Sequence, residues 1–327
     1  MIIQFKNHLP FFSFPAKLFF LSFCLFGCIE DKQQTKLVVD DVHLLDSIPS
    51  GSGIALKSDD SVFIIGDDAT ELYLLNLKNY RYQKIALTGM NLGDHRESRE
   101  VKRDLESATL INWNGKKYLI AFGSGSKPVI RDSLLLINVS DNEEQKITSL
   151  HEFYLRLQKI IHADSTQWNI EGSAVVNDNL VLCNRGNNVI ISMSVKSFMD
   201  YLSSSPSPFP KVTFQKIKLP AINGKEARLS GACRLDDSHI LFSASVEDTP
   251  DWTKDGPVLG SFIGSYNLNS KTVDACYLLQ EPTGEPMKEK IESLDILHGQ
   301  KSEAISIVAV SDDDNGYSKL FQLRILK

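Results

Sequence analysis

Five short segments place chemically able side chains at matching points of a repeat. They are Ser52-Gly53-Ile54-Ala55-Leu56, Glu106-Ser107-Ala108-Thr109-Leu110, Glu171-Gly172-Ser173-Ala174-Val175, Ser230-Gly231-Ala232-Cys233-Arg234 and Glu292-Ser293-Leu294-Asp295-Ile296. Each opens with Ser or Glu, continues with Gly or Ser, and runs into a mostly apolar stretch. If the five openings meet at one level, three carboxylates crowd together and repel, so either their pKa values rise or a cation neutralises them. An all-oxygen set of Ser52, Glu106, Glu171, Ser230 and Glu292 suits a hard cation, and Ca²⁺ is the expected ion because it tolerates irregular coordination completed by water or backbone carbonyls. For any one Glu alone, a solvent-facing strand end is the simpler reading. Five in register favour the metal.

A second polar set falls in the loops. It comprises Asp67 and Asp68, then Gly123-Ser124-Gly125-Ser126-Lys127 with Arg131, then Arg185, Glu247 and Asp248, and Asp312-Asp313-Asp314, while Arg96, Arg99, Lys102, Arg103, Trp168 and Arg228 precede the repeated segments. Lys127, Arg131 and Arg185 are suited to hold the oxygens of an anion, with Arg96 and Trp168 as further substrate contacts. Metal and cations would stabilise charge developing on a phosphoryl or carboxyl oxygen while Asp67 or Glu247 orients the attacking water. The competing reading is that these loops are polar because they are wet. Other chemistries lack their residues: Gly123-Ser124-Gly125-Ser126 has no P-loop ending, His151-Glu152 has no second histidine at zincin spacing, and no Gly-x-Ser-x-Gly elbow is present.

The elements that must position these groups are legible as strands. The repeated segments start 54 to 65 positions apart, the length of a four-stranded propeller blade with variable loops. Further β-rich runs follow each, such as Val62-Phe63-Ile64-Ile65 and Leu72-Tyr73-Leu74-Leu75 in the first unit. The fifth unit ends one strand short after Leu320–Ile325, and 36–45 supplies a strand ahead of the first repeat. The expected fold is therefore all-β, a five-bladed β-propeller over 36–327 whose last blade is closed by the N-terminal strand, leaving no open sheet seam. A β-sandwich would give no reason for five similar units. Glu152–Ile161 has helical spacing and reads as an inserted helix, and Ser203–Pro210 as a loop.

The order Ser, Glu, Glu, Ser, Glu at the head of five inner strands resembles the calcium-activated nucleotidase (apyrase) propellers, which carry such residues around a central Ca²⁺. Asp67-Asp68, Glu171-Gly172-Ser173-Ala174 and Leu229-Ser230-Gly231-Ala232 with Val246-Glu247-Asp248 are similar in wording too. The resemblance implies an axial Ca²⁺ and hydrolysis of phosphate-containing substrates. The chain departs from it at Ala69 and Thr70, where the nucleotidases tend to have arginine after the paired aspartates. The Gly-Ile-Ala and Leu-Glu-Ser-Ala wording also resembles the phytase-like esterase propellers. A non-catalytic propeller that binds a glycan, peptide or envelope protein is the alternative, since fold analogy does not settle function.

Residues 1–27 contain no acid, carry Lys6 and Lys17, and become apolar from Leu18 to Phe26, as a signal peptide does. Leu25-Phe26-Gly27-Cys28 resembles a bacterial lipobox, which implies lipidation at Cys28, a tether over 28–35, and a membrane-anchored place in the cell envelope, at the outer membrane. An ordinary secretory signal and an uncleaved anchor are the competing readings. Cleavage would remove both lysines and change 35 Lys+Arg against 41 Asp+Glu into 33 against 41, from −6 to −8. That acidic balance argues against nucleic acid as a partner. A small anionic molecule and an envelope protein or glycan remain the expected ligands, and the chain reads as a monomer. Cys183, Cys233 and Cys276 are an odd set without zinc-ligand spacing and read as buried small hydrophobes.

Overall fold

Strand pairing begins at Lys36, and the first strand does not belong with the next. The computed structural model describes residues 35–90, 96–140, 144–204, 206–249, 256–297, 304–312 and 316–326; the leader, Cys28, most of the tether, Trp252 and 313–314 fall outside them. Strand β1 (Lys36–Leu45) is followed by blade 1, made of β2 (Gly51–Ser58), β3 (Ser61–Gly66), β4 (Glu71–Asn76) and β5 (Tyr82–Ala86). Blade 2 is β6 (Leu105–Trp113), β7 (Lys116–Gly123), β8 (Ser133–Asn138) and β9 (Gln145–Ser149). After helix α1 (His151–Ile161) come β10 (Ile170–Val176), β11 (Asn179–Asn184) and β12 (Val189–Ser194), then helix α2 (Val195–Ser203), and β13 (Thr213–Lys216) completes blade 3. A two-strand hairpin, β14 (Ala221–Ile222) and β15 (Lys225–Glu226), leads into blade 4, which is β16 (Arg228–Arg234), β17 (His239–Glu247), β18 (Val258–Asn267) and β19 (Thr272–Leu278). Strands β20 (Ile291–Leu297), β21 (Ala304–Asp312) and β22 (Ser318–Leu326) need a fourth partner and find it in β1, giving the order β1-β22-β21-β20. The protein is a five-bladed β-propeller closed by its N-terminal strand, as the repeat count requires.

The register of that closure runs from Lys36 opposite Leu326 to Leu45 opposite Ser318, and Ser318 Oγ also accepts the Gly51 N–H at 2.8 Å. The apolar faces of consecutive blades pack into five clusters, one at each blade-to-blade interface. Ala55, Phe63 and Ile65 meet Ala108, Leu119 and Ala121 between blades 1 and 2, and Ile54, Val62 and Ile64 meet Val308, Val310 and Leu320 where blade 5 returns to blade 1. Each interface therefore depends on both neighbours, and the ring is held by the same apolar burial all the way round.

Helix α1 appears where the sequence spacing put it, with Phe153, Tyr154, Leu157 and Ile161 turned inward. Helix α2 was not read from the sequence; Ser194 caps it by accepting the Ser197 N–H, and Phe198 and Met199 are buried against α1 through the Phe153–Phe198 ring contact.

The glycine in second place of the repeats in blades 3 and 4 has a steric cause. A Cβ on Gly231 would lie 2.6 Å from the Glu292 carbonyl oxygen and 2.7 Å from Ser293 Cα, both on the next inner strand. One on Gly172 would lie 2.9 Å from the Gly231 carbonyl carbon. The inner strands thus approach backbone to backbone at Gly172 and Gly231, where any Cβ would clash. Gly231→Ala should lower the thermal unfolding midpoint by the overpacking cost, about 1–3 kcal/mol. An unchanged midpoint in calorimetry would show that strands β16 and β20 can part at no cost.

Candidate functional site

Every inner strand breaks register at the same place. Pairing with the second strand skips one residue between Gly51 and Gly53, Leu105 and Ser107, Ile170 and Gly172, Leu229 and Gly231, and Ile291 and Ser293. The skipped residues are Ser52, Glu106, Glu171, Ser230 and Glu292, so each repeat opens with a β-bulge. A bulge leaves one residue out of the ladder and re-aims its side chain. Ser52, Glu106, Glu171 and Glu292 line a cavity of about 590 Å³, together with Asp67, Arg96, Lys127, Arg131, Arg185 and Glu247 from the loops. The loops after the second strands and the heads of the inner strands therefore share one mouth.

Two of the expected site residues lie elsewhere. Ser230 is fully buried and donates its hydroxyl proton to the Ile291 carbonyl at 2.6 Å, across to the next blade, and it does not line the cavity. Ser52 makes the equivalent bond to the Leu105 carbonyl at 2.6 Å but keeps its place on the wall. Trp168 belongs to the apolar core between blades 2 and 3, where it packs edge-on against Tyr154, and offers no surface to a ligand.

Three lining residues that sequence reasoning passed over are Asp104, Asn169 and Lys290. Each stands two positions ahead of a bulged Glu. Side chains two apart along a strand share a face, so this offset was the signal that could have found them.

The cavity is largely self-neutralised on one side. Arg185, only 3 % exposed, donates from Nη1 to Glu171 at 3.2 Å and to Ser245 Oγ at 3.0 Å, and from Nη2 to Glu247 at 2.7 Å. Lys290 Nζ lies 2.9 Å from Glu292 and 3.6 Å from the second oxygen of Glu247. Two cations thus tie together one carboxylate from each of blades 3, 4 and 5. Asn169 completes the set by donating to Glu171 at 2.6 Å.

The side formed by blades 1 and 2 is different. Lys102 bridges Asp67 and, at 2.8 Å, Asp104, and Arg131 Nη1 lies 2.8 Å from the other oxygen of Asp104. Glu106 has no hydrogen-bond or ion-pair partner among the described residues, and Asp67 Oδ1 is buried without one. Among the described residues, Asp67, Asp104 and Glu106 are the carboxylates whose oxygens come within 4.8 Å of one another. This group could hold a hard cation if the Lys102 ammonium withdrew from Asp67 and Asp104, with Glu106 and Asp67 Oδ1 as its unpaired carboxylate oxygens; the whole five-residue ring would also need Glu171 and Glu292 to leave Arg185 and Lys290.

Residues 47–325, from just ahead of β2 into β22, match the family described as "Family of unknown function (DUF6929)". The chain belongs to that family. No curated protein matches it. Among solved structures, the DUF6929 chain is similar to the major Malassezia sympodialis allergen Mala s 1, with 13 % identity, 88 % of this chain and 96 % of that one covered, and a TM-score of 0.51. It is also similar to a PQQ-bound aldose sugar dehydrogenase from Streptomyces coelicolor, with 10 % identity, 89 % and 98 % covered, and a TM-score of 0.49. At such identities the likeness is one of fold alone.

Burial sets the electrostatics of this DUF6929 site. It pushes Glu106 well above the usual carboxylate range, helped by Asp104, Asp67 and Glu171 and opposed by Lys102. Burial raises Asp67 as well, against the pull of Lys102. Asp104 goes the other way: burial acts upward, but Lys102 and Arg131 hold it below its ordinary value. Glu292 is pushed up to about 8 by burial, with Lys290 opposing and Glu171 adding to the rise. A carboxyl whose pKa is raised on folding adds stability that is complete below its unfolded pKa and is lost as pH climbs through the folded value. In chelator, the unfolding midpoint should therefore fall as pH rises from about 5 to about 9. Glu292→Gln should flatten the upper part of that decline, and an identical slope in the variant would show that Glu292 does not titrate there.

Proposed function

We propose that the mouth of this propeller is a cation-dependent site for small oxyanions, in which Ca²⁺ sits off the axis on Asp67, Asp104 and Glu106. The observation that carries the reading is Glu106, a partly buried carboxyl on the cavity wall with no partner among the described residues, beside the unpartnered Asp67 Oδ1. Leaving a buried charge unmatched costs several kcal/mol, whereas a bound cation removes the cost. Nine carboxyl and seven cationic side chains line the cavity, so a bound cation would favour the ionised forms of Glu106 and Asp67, which burial disfavours.

At the lip, Arg99 and Lys127 form no ion pair among the described residues, so they stand ready for an anion that the ion below would also attract. Arg96 is committed to Asp68 at 2.8 Å and to Ser50 Oγ at 2.7 Å, and Arg185 to the floor, so neither is the first contact for the ligand. The same proposal places the protein in the bacterial cell envelope, lipid-anchored at Cys28; the apolar leader and its Gly-Cys end support that place.

Hydrolysis of a phosphoester is the second reading, and Asp67 favours it. If the ion is held by Asp104 and Glu106 alone, Asp67 Oδ1 is left to accept a proton from water, whereas Glu247 is held by Arg185 and Lys290. Asp67→Asn should then cut turnover of an accepted phosphoester by about 100-fold or more, measured against wild type in Ca²⁺; turnover unaffected by this change removes Asp67 from the chemistry.

The decisive test is Ca²⁺ binding. Addition at about 100 times its Kd should stabilise the fold by about 2.7 kcal/mol, read as a rise in unfolding midpoint and as heat in calorimetry. Glu106→Gln should abolish both. If Ca²⁺ neither binds wild type nor raises its midpoint, the proposal fails.

A further inference from the structure

Three exposed apolar side chains stand around the lip of the charged cavity: Val101 (55 % exposed), Val129 (65 %) and Tyr317 (45 %). Each belongs to a segment that reaches the lining. Glu100 and Lys102 flank Val101, and Lys127 and Arg131 bracket Val129. Gly316, beside Tyr317, is so close to Arg96 that a Cβ there would lie 3.2 Å from Nη1. Lys127 Nζ donates to the Glu100 carbonyl at 3.3 Å, which ties the Val101 and Val129 loops together.

Val129 is held in an unfavourable conformation. Its φ is 72°, and the Ile130 N–H donates across it to the Pro128 carbonyl at 3.0 Å, closing a three-residue γ-turn of the strained, positive-φ kind. A β-branched residue rarely enters this region, at a cost of about 1–3 kcal/mol. The surroundings impose it. The Val129 N–H donates to Asp132 Oδ2 at 2.8 Å, the same buried carboxylate oxygen is 2.6 Å from His151 Nδ1, and the Arg131 N–H donates to the Lys127 carbonyl at 3.1 Å. Glycine would occupy this turn without strain. The valine side chain gains little from packing, since most of it faces solvent.

We infer that the lip is a subsite for the apolar part of the ligand, so that the molecule taken is an oxyanion carrying an aryl or alkyl group. Its charged end points to Arg99, Lys127 and the cation; its apolar group rests on Val129, Val101 and Tyr317. The inference rests on the cation-dependent reading of the cavity and adds the chemical class of its ligand.

Calorimetry on the full chain in Ca²⁺, with inorganic phosphate, phenyl phosphate and benzoate as probes, tests it. Phenyl phosphate should bind about five- to tenfold more tightly than inorganic phosphate, the gain expected from partial burial of one ring. Val129→Gly should lose most of that preference, leave phosphate binding unchanged, and keep or raise the unfolding midpoint. Benzoate matching phenyl phosphate would identify the charged end as any oxyanion, and weaker benzoate binding would identify it as a phosphate; either agrees with the subsite. Equal affinities of the two phosphates in wild type, an undiminished preference in the variant, or a lowered midpoint marking Val129 as structural would overturn it. If none of the probes binds while Ca²⁺ still raises the midpoint, the subsite falls and the cation site stands; if Ca²⁺ has no effect either, both fall.

Discussion

The narrowness of the axis governs this molecule. Five inner strands meet so closely that the backbone of one lies where the Cβ of another would be, at Gly172 against Gly231 and at Gly231 against Glu292 and Ser293. A residue wedged there cannot continue an even ladder on both sides, and in all five blades the pairing skips the residue just before the close approach. Four of the five skipped side chains line the axial cavity, and Ser230 turns instead to the Ile291 carbonyl. The fold thus concentrates whatever residues it carries at those positions, and this chain carries three carboxylates. Their mutual repulsion in a poorly hydrated space is the problem that the rest of the mouth answers.

The answer differs around the ring. Blades 3 to 5 supply their own countercharges, Arg185 and Lys290, at distances short enough to be hydrogen bonds as well as ion pairs. Breaking such a buried pair by removing one partner typically costs 3–5 kcal/mol, because the other charge stays behind. This half is therefore part of the structure. Blades 1 and 2 satisfy Asp104 with Lys102 and Arg131 but leave Glu106 and one oxygen of Asp67 unmatched. If the mouth exchanges a ligand, this less neutralised half is the one with groups left to bind it.

The sequence made the architecture readable because blade architecture is local and periodic. The spacing of the five Ser/Glu-Gly/Ser segments, the strand missing after Leu326 and supplied by Lys36–Leu45, and the apolar period of α1 all reflect contacts whose spacing is written along the chain. The polar network was legible only in part. Glu171 and Glu292 stood out by their place in the repeat, yet their partners Arg185 and Lys290 come from a loop one strand later and from the approach to β20. Pairing across blades depends on which loops bend inward, and no periodicity encodes that. Trp168 illustrates the opposite error: a tryptophan two residues ahead of a strand looks like a rim residue, but α1 and its Tyr154 fold over it and take it into the core. Helix α2 escaped notice because nine residues between a strand and a Ser/Pro-rich stretch give too few turns for a clear period.

The asymmetry of the mouth also limits what an axial ion can be here. An ion centred among five equivalent residues would need Glu171 and Glu292 to turn from Arg185 and Lys290, leaving Glu247 as the one carboxylate for both cations. Moved toward blades 1 and 2, an ion would meet Glu106 and the unpaired Oδ1 of Asp67, and to reach Asp104 it would have to displace the Lys102 ammonium, whose long stem could retreat toward the lip. A retreating ammonium would join Arg99 and Lys127 there, so occupation of the floor would make the lip more positive. Cation and anion would then favour each other's binding, by electrostatics built into the loop between Arg96 and Asp104 and without any change in the blades.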